Sequence, residues 1–298
     1  MCGIVGLLIK NSRMRDQLGA LMVPMLTGMT ERGPDSAGLA VYTAPVPHEQ
    51  HKISLYSGAA SADWPQLLER LRGAFDAAFR LEAHDNQAVL TSAADPDAIV
   101  AWVGTEVDAL AVLSVGQRID LYKDVGAPAE IARRYRFADL RGSHLVAHTR
   151  MATESAVTPA HAHPFTAGRD FCLVHNGSLS NPHLVRKRLE PLGIVFETDN
   201  DTEAACRFFE WRLREGDDLV EAVERGFSQL DGFYTFLMGT ETELLIVRDA
   251  FACKPAVVAE TEDYVAIASE FRSLSHLPDI RHANIFEPKP EEIYRWRV

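Results

Sequence analysis

The chain has 298 residues, 47% of them hydrophobic and 24% charged, the balance of a globular domain with a full core. Its net charge of -12 argues against nonspecific nucleic-acid binding, which needs basic patches to neutralise phosphates. No apolar run approaches the roughly 20 residues that cross a bilayer; the short apolar stretch 4–9 has no Lys or Arg before it, unlike a signal peptide, so no membrane contact and a cytoplasmic address are expected.

Residues 2–9 are rich in Ile, Val and Leu and read as a buried strand. Over 16–29, Leu18, Leu21, Met22, Met25 and Met29 fall on one helical stripe, and Pro24 implies a kink. Residues 32–38 are a loop marked by Gly and Pro, 39–43 a strand, and 44–63 a loop containing Pro45 and Pro47. Leu67, Leu68, Leu71, Phe75, Ala78 and Phe79 recur at helical spacing. A strand follows over 88–91, and Asp95-Pro96 opens a further helix by its capping chemistry. Residues 50–117 read as an α+β insertion within a domain spanning 1–298.

Strands are expected over 145–148 and 171–174. A short helix follows Asn181-Pro182. A longer one starts near Asp201-Thr202 and carries Ala205, Phe208, Phe209 and Leu213; another covers 218–230. Four strands close the chain, at 234–239, 243–248, 256–259 and 265–268. Runs of strands and of helices without strict alternation favour an α+β layered sandwich over a doubly wound sheet.

Four cysteines are present: Cys2, Cys172, Cys206 and Cys253. None forms a CxxC pair, so neither a zinc site nor a redox pair is expected. Cys172 lies in an apolar run, Cys206 in a helical pattern and Cys253 in a loop, and all three read as structural. Cys2 differs by position. Removal of Met1 would give it a free α-amine with a pKa of roughly 8, suited to general-base work at neutral pH. Nucleophile and base would then share one residue, and attack of the thiolate on an amide carbonyl would create an oxyanion.

Such a site needs oxyanion donors. His175-Asn176-Gly177 follows the strand at 171–174, where the Asn176 side chain and the Gly177 backbone N–H can converge; the same Asn-Gly also reads as a turn. A free amino acid needs a cation and an anion. Arg150 can grip a carboxylate with two parallel hydrogen bonds. Asp201 can pair with an ammonium, or cap the helix that begins there.

Six segments occur in order: Cys2-Gly3-Ile4-Val5-Gly6, Arg32-Gly33-Pro34-Asp35-Ser36-Ala37-Gly38, His148-Thr149-Arg150-Met151-Ala152-Thr153, His163-Pro164-Phe165, His175-Asn176-Gly177 and Asp201-Thr202-Glu203. As a set they closely resemble the class II glutamine amidotransferases, domains carried by asparagine synthetase, glutamate synthase and amidophosphoribosyltransferase. Val247-Arg248-Asp249, Lys254-Pro255 and Ala268-Ser269-Glu270 look like that family's closing strands. The resemblance covers 1–50 and about 118–275.

The resemblance implies an N-terminal nucleophile hydrolase fold, a four-layer αββα sandwich. It implies Cys2 as nucleophile with its own α-amine as base, and Asn176 and Gly177 as the oxyanion hole. Arg150 would hold the α-carboxylate of glutamine, Asp201 its α-ammonium, and Arg32 would brace the site. His148, His163 and His175 would be structural or supporting. Three departures stand out. Met151 occupies a position where many relatives carry an aromatic residue. The segment between Tyr42 and His144 is much longer than in compact relatives; only its end, 118–135 with Lys123-Asp124-Val125-Gly126, resembles the family. A retained Met1 would tie up the α-amine of Cys2 in a peptide bond and remove the base.

The chain ends soon after these motifs, so the resemblance implies a separate synthase subunit that uses the ammonia. A domain of this length with this insert most resembles the small subunit of glutamate-synthase-like complexes, either a split glutamate synthase or N-methylglutamate synthase. Flavin and iron–sulfur groups would lie in partner subunits, since this sequence has no flavin motif and no cluster spacing. Two other readings stand beside it. One is an independent hydrolase of γ-glutamyl amides, which the pairing of Arg150 with Asp201 weighs against. The other is a catalytically silent scaffold subunit, which a retained Met1 would favour.

Overall fold

Strand β1 (Gly3–Ile9) is buried along its whole length, and its alternate side chains serve two cores. Ile4 and Leu8 enter the layer between two sheets, whereas Val5, Leu7 and Ile9 face helices. Fully burying each such side chain is worth about 1.5–3 kcal/mol, so this pattern alone fixes the strand at the centre of a layered fold. The structure, a computed structural model, describes residues 2–58, 62–152 and 156–298.

In chain order the elements are β1, α1 (Leu18–Thr27), β2 (Ser36–Tyr42), β3 (His51–Ser57), α2 (Trp64–Ala74), β4 (Phe79–His84), β5 (Gln87–Ser92), α3 (Pro96–Glu106), β6 (Leu110–Gly116), β7 (Ile119–Val125), α4 (Pro128–Arg134) and β8 (His144–Arg150). There follow β9 (Phe165–Thr166), β10 (Cys172–Leu179), α5 (Pro182–Leu189), α6 (Asp201–Arg214), α7 (Leu219–Phe227), β11 (Gly232–Gly239), β12 (Glu243–Arg248), β13 (Val257–Glu260), β14 (Tyr264–Ala268), β15 (Asn284–Phe286) and β16 (Tyr294–Arg297).

A seven-stranded antiparallel sheet, β15-β13-β14-β1-β8-β2-β7, packs against a five-stranded one, β16-β12-β11-β10-β9. Ile4, Leu8, Val146, Val174, Leu237 and Ile267 fill the space between them. Leu18, Met22 and Met25 of α1, with Ile131 of α4, cover the outer face of the larger sheet. Val185 and Leu189 of α5, Phe208 and Phe209 of α6, and Val223 of α7 cover the smaller. This is the expected four-layer αββα arrangement.

A third sheet, β4-β5-β3-β6, has its own core with α2 and α3, built around Leu55, Leu67, Leu71, Leu90 and Ile99. Its β4–β5 turn is tied to the sandwich through Asp124, whose carboxylate accepts from Tyr135 Oη (2.6 Å), Arg134 (2.8 Å) and Asn86 (3.4 Å).

Several boundaries differ from the sequence expectation. Residues 44–63 are not all loop: β3 occupies part of them, its polar Lys52 buried against Asp120 (2.5 Å) and its Ser54 hydroxyl accepting from Leu121 N–H (2.9 Å). The helical stripe does not reach Phe79. Helix α2 stops at Ala74, and Phe79 starts β4, its ring edge-on to Phe75 at 6.1 Å. β2 begins at Ser36, inside the expected loop, and β10 extends to Leu179, through the expected turn at Asn176-Gly177. β15 and β16 add two strands after the expected last one. The helices expected at Asp95-Pro96, after Asn181-Pro182, at Asp201 and over 218–230 are all present, the last with a full capping box at Asp218 and Glu221. Among the described residues no helix is long and apolar enough to cross a membrane.

Candidate active site

Alternation along three strands decides which side chains reach the open end of the inter-sheet layer. The inward parity of Ile4 and Leu8 in β1 extends to Cys2. That of Val146 in β8 extends to His148 and Arg150, and that of Cys172 and Val174 in β10 to Asn176. Gly3 lies opposite Thr149, which brings Cys2 beside Arg150. Cys2, Arg150, Asn176, Gly177 and Asp201 line one cavity of about 570 Å³, a size suited to a small molecule.

The Arg32–Gly38 segment braces this cavity from behind. Arg32 Nε donates to the Cys2 carbonyl (3.1 Å), and its guanidinium pairs with Glu270 (2.9 Å). Gly33 has no room for a side chain, since a Cβ would sit 2.4 Å from the Thr149 carbonyl carbon. Asp35 clamps the turn after β8: its N–H donates to Arg150 O (3.0 Å) and its carboxylate accepts from Ala152 N–H (2.8 Å). Arg150 is 5% exposed and also donates to Ala156 O (3.1 Å). Thr153, part of the same motif, and Met1 lie outside the described residues.

Burial pushes the Cys2 thiol above its ordinary pKa, and Asp201 adds to the rise. The Met151 backbone N–H and then the Arg150 guanidinium pull the other way. The resting group is a protonated thiol, which could serve as a nucleophile only with a base to take its proton.

Asn176 is 3% exposed, and its Nδ2 has no hydrogen-bond partner among the described residues. A buried donor left unsatisfied is costly unless something is to occupy the space before it. Gly177 supplies a second donor. Opposite it, Tyr234 gives both backbone groups to Asp249, its N–H to Oδ1 and its carbonyl to the N–H, each at 3.0 Å. The Gly177 N–H therefore faces away from β11, on the same edge as the His175 groups two residues earlier. That edge is covered by β9 only at Cys172 and Leu173. Gly177 has φ +151°, and a Cβ would lie 1.9 Å from Phe233 O and 2.7 Å from His175 Nε2, so no other residue fits.

Asp201 is not the helix cap. Asn200 is, accepting from Thr202 N–H at 2.9 Å. This leaves Asp201 in the first turn of α6, facing the cavity with Oδ2 accepting from Leu179 N–H (2.9 Å).

Three buried histidines stand behind the donors. His148 Nε2 donates to His175 O (3.0 Å), and the His148 and His163 rings stack at 4.1 Å. His175 Nδ1 meets Thr202 Oγ1 at 3.1 Å. Burial lowers all three imidazoles, His148 to about 3, so they are neutral. With their basicity lowered this far, these rings are weak proton acceptors, and His148 instead ties its strand to the His175 carbonyl. Sequence reading did not place Lys254, Asp199 or the Met151 N–H at the cavity. Lys254 was visible as part of Lys254-Pro255; a backbone N–H carries no sequence signal. Among the described residues no cluster of His, Cys, Asp and Glu could hold a metal.

Comparison with known proteins bears on the family and the fold. Residues 148–276 match the glutamine amidotransferase domain family. The glutamine amidotransferase-like protein GlxB of Rhizobium meliloti is 45% identical over 300 residues, 99% of this chain and 98% of that protein. A putative glutamine amidotransferase of Methanothermobacter thermautotrophicus is 32% identical over 308 residues, 99% of each. Among solved structures, the glutamine phosphoribosylpyrophosphate amidotransferase of B. subtilis, complexed with ADP and GMP, shares the fold with a TM-score of 0.61 and 18% identity. That likeness covers 99% of this chain and 49% of the B. subtilis chain, so the present chain spans about half its length. Fold, motif order and full-length relatives agree, and the chain belongs to the class II glutamine amidotransferases.

Proposed function

We propose that this chain is a glutaminase that hydrolyses glutamine to glutamate and ammonia, with Cys2, freed of Met1, as the nucleophile. The observation that carries the proposal is the convergence of Cys2, Arg150, Asn176, Gly177 and Asp201 on one cavity. Arg150 takes the substrate α-carboxylate and Asp201 its α-ammonium, which points the side-chain amide toward Cys2. The thiol gives its proton to the Cys2 α-amine as sulfur attacks the amide carbon. The oxyanion is met by Asn176 Nδ2–H and Gly177 N–H. Collapse returns the proton to the departing nitrogen, and ammonia leaves. Water then adds to the thioester with the α-amine again as base, releasing glutamate.

On this reading the ammonia serves a separate synthase subunit of the glutamate synthase or N-methylglutamate synthase type, and flavin and iron–sulfur groups belong to such partners. The motif resemblance supports this part. The test is glutamate release by the purified chain whose first residue is Cys2, against Cys2→Ala. Equal rates in the two would reject the nucleophile.

A further inference from the structure

The register of the larger sheet places Lys123 of β7, Gly38 of β2 and His148 of β8 in one row. Residues 162–164 cross that row. Lys123 Nζ donates to Ala162 O (2.9 Å) and Pro164 O (3.4 Å). In the middle, Gly38 lets the His163 carbonyl approach, for a Cβ there would lie 2.1 Å from it. At the far end the His163 ring stacks on His148. His163 lines the cavity, and its Nδ1 accepts from His175 N–H at 3.5 Å, one residue before Asn176.

Lys123 is 6% exposed, and its ammonium faces two carbonyls and the Phe165 ring at 4.8 Å. Among the described residues no carboxylate forms an ion pair with it; Glu197 and Glu203 act at longer range. A buried ammonium without a counter-ion is costly, and an apolar side chain of the same length would fill the space more cheaply. A second cavity of about 240 Å³, lined by Lys123, Phe165, Glu203 and Arg207, opens beside it.

We infer that Lys123 is a positioning residue of the glutaminase site: it grips the carbonyls on both sides of His163, sets that ring against His148 and His175, and through them places the donors of Asn176 and Gly177. The inference rests on the glutaminase reading above. Lys123 has no place in holding the substrate carboxylate or ammonium, so its loss acts on the chemical step and not on binding.

The experiment uses the full chain with Cys2 as first residue, carrying Lys123→Met or Lys123→Ala. Because misplacement of about 1 Å can cost about 10²-fold, kcat should fall about 10-fold or more. KM for glutamine should stay within about 2-fold, since Arg150 and Asp201 are untouched. Ethylammonium, entering through the second cavity, should restore kcat of Lys123→Ala saturably and have no effect on Lys123→Met. By NMR the His163 ring signals should move in Lys123→Met while those of exposed His276 stay. Unchanged kcat with unmoved His163 signals overturns the inference, as does a parallel loss of kcat, KM and folded signal without amine rescue. A wild-type chain without glutaminase activity overturns the functional reading instead, and the ring signals then decide the clamp alone.

Discussion

Replacing Asn176 by Ala separates catalysis from stability. In the resting site Nδ2 is buried and unpartnered among the described residues. An unsatisfied buried donor costs about 1–3 kcal/mol, which truncation relieves. Truncation also removes packing worth a similar amount, so the two effects oppose each other and the net change in stability is within about 1 kcal/mol. For a chain of this size the melting temperature should then move by no more than about 2–4 °C. The transition state loses one of two oxyanion donors, which costs about 2.7–4 kcal/mol, or 10²–10³ in kcat. The assay pairs glutamate release at saturating glutamine with a thermal melt. A large loss of rate with a small shift in melting fits the oxyanion role. A melting temperature lower by 10 °C or more would make Asn176 a structural residue, and an unchanged kcat would remove it from the mechanism.

Other outcomes follow from the same geometry. Arg150→Ala should raise KM for glutamine at least about 10-fold, since each charge-assisted bond is worth about 1.5–3 kcal/mol; exposed Arg80→Ala is the control, and equal effects would refute the carboxylate assignment. Gly177→Ala should destabilise by roughly 1–3 kcal/mol and lower kcat, because its Cβ meets Phe233 O and its φ is positive; full stability in urea would contradict that backbone. His144 and His148 are held down to about 3 by burial, against about 6.5 unfolded. The unfolded chain binds these protons first, so the stability they contribute is complete above about pH 6.5. It is lost as pH falls toward 3, at up to about 1.4 kcal/mol per unit per histidine. His144→Gln keeps a donor for Thr240 O (2.8 Å) and should flatten this slope by one proton, read from urea unfolding at pH 7 and 5; an unchanged slope would refute it.

The sandwich and the residues gathered at its open end were legible because they rest on local signals. Fully apolar β1, the capping residues Asp95 and Asp218, and the ordered motifs all announce themselves within a few positions. What escaped depends on partners distant in sequence. β3 is polar in places because Lys52 and Ser54 are satisfied by Asp120 and Leu121. Asn176-Gly177 carries turn chemistry yet lies inside β10, because pairing with Thr235 and Tyr234 overrides the local preference. β15 and β16 are short edge strands that exist by pairing with β13 and β12. Asp201 has the chemistry of a cap, but Asn200 fills that place, and the Asp201 carboxylate turns to the cavity. Lys123 stood out only as part of Lys123-Asp124-Val125-Gly126, and its contacts carried no signal, since its carbonyl partners are 39 and 41 residues away.

Cys2, as the first residue, is the proposed nucleophile toward glutamine. The most direct measurement is mass mapping of the chain after reaction with an electrophilic glutamine analogue. One adduct is expected, on Cys2 of chains that have lost Met1, with glutamate release abolished in step and exposed Cys253 unmodified. An adduct elsewhere, or glutamate release that continues undiminished in Cys2→Ala, would contradict it.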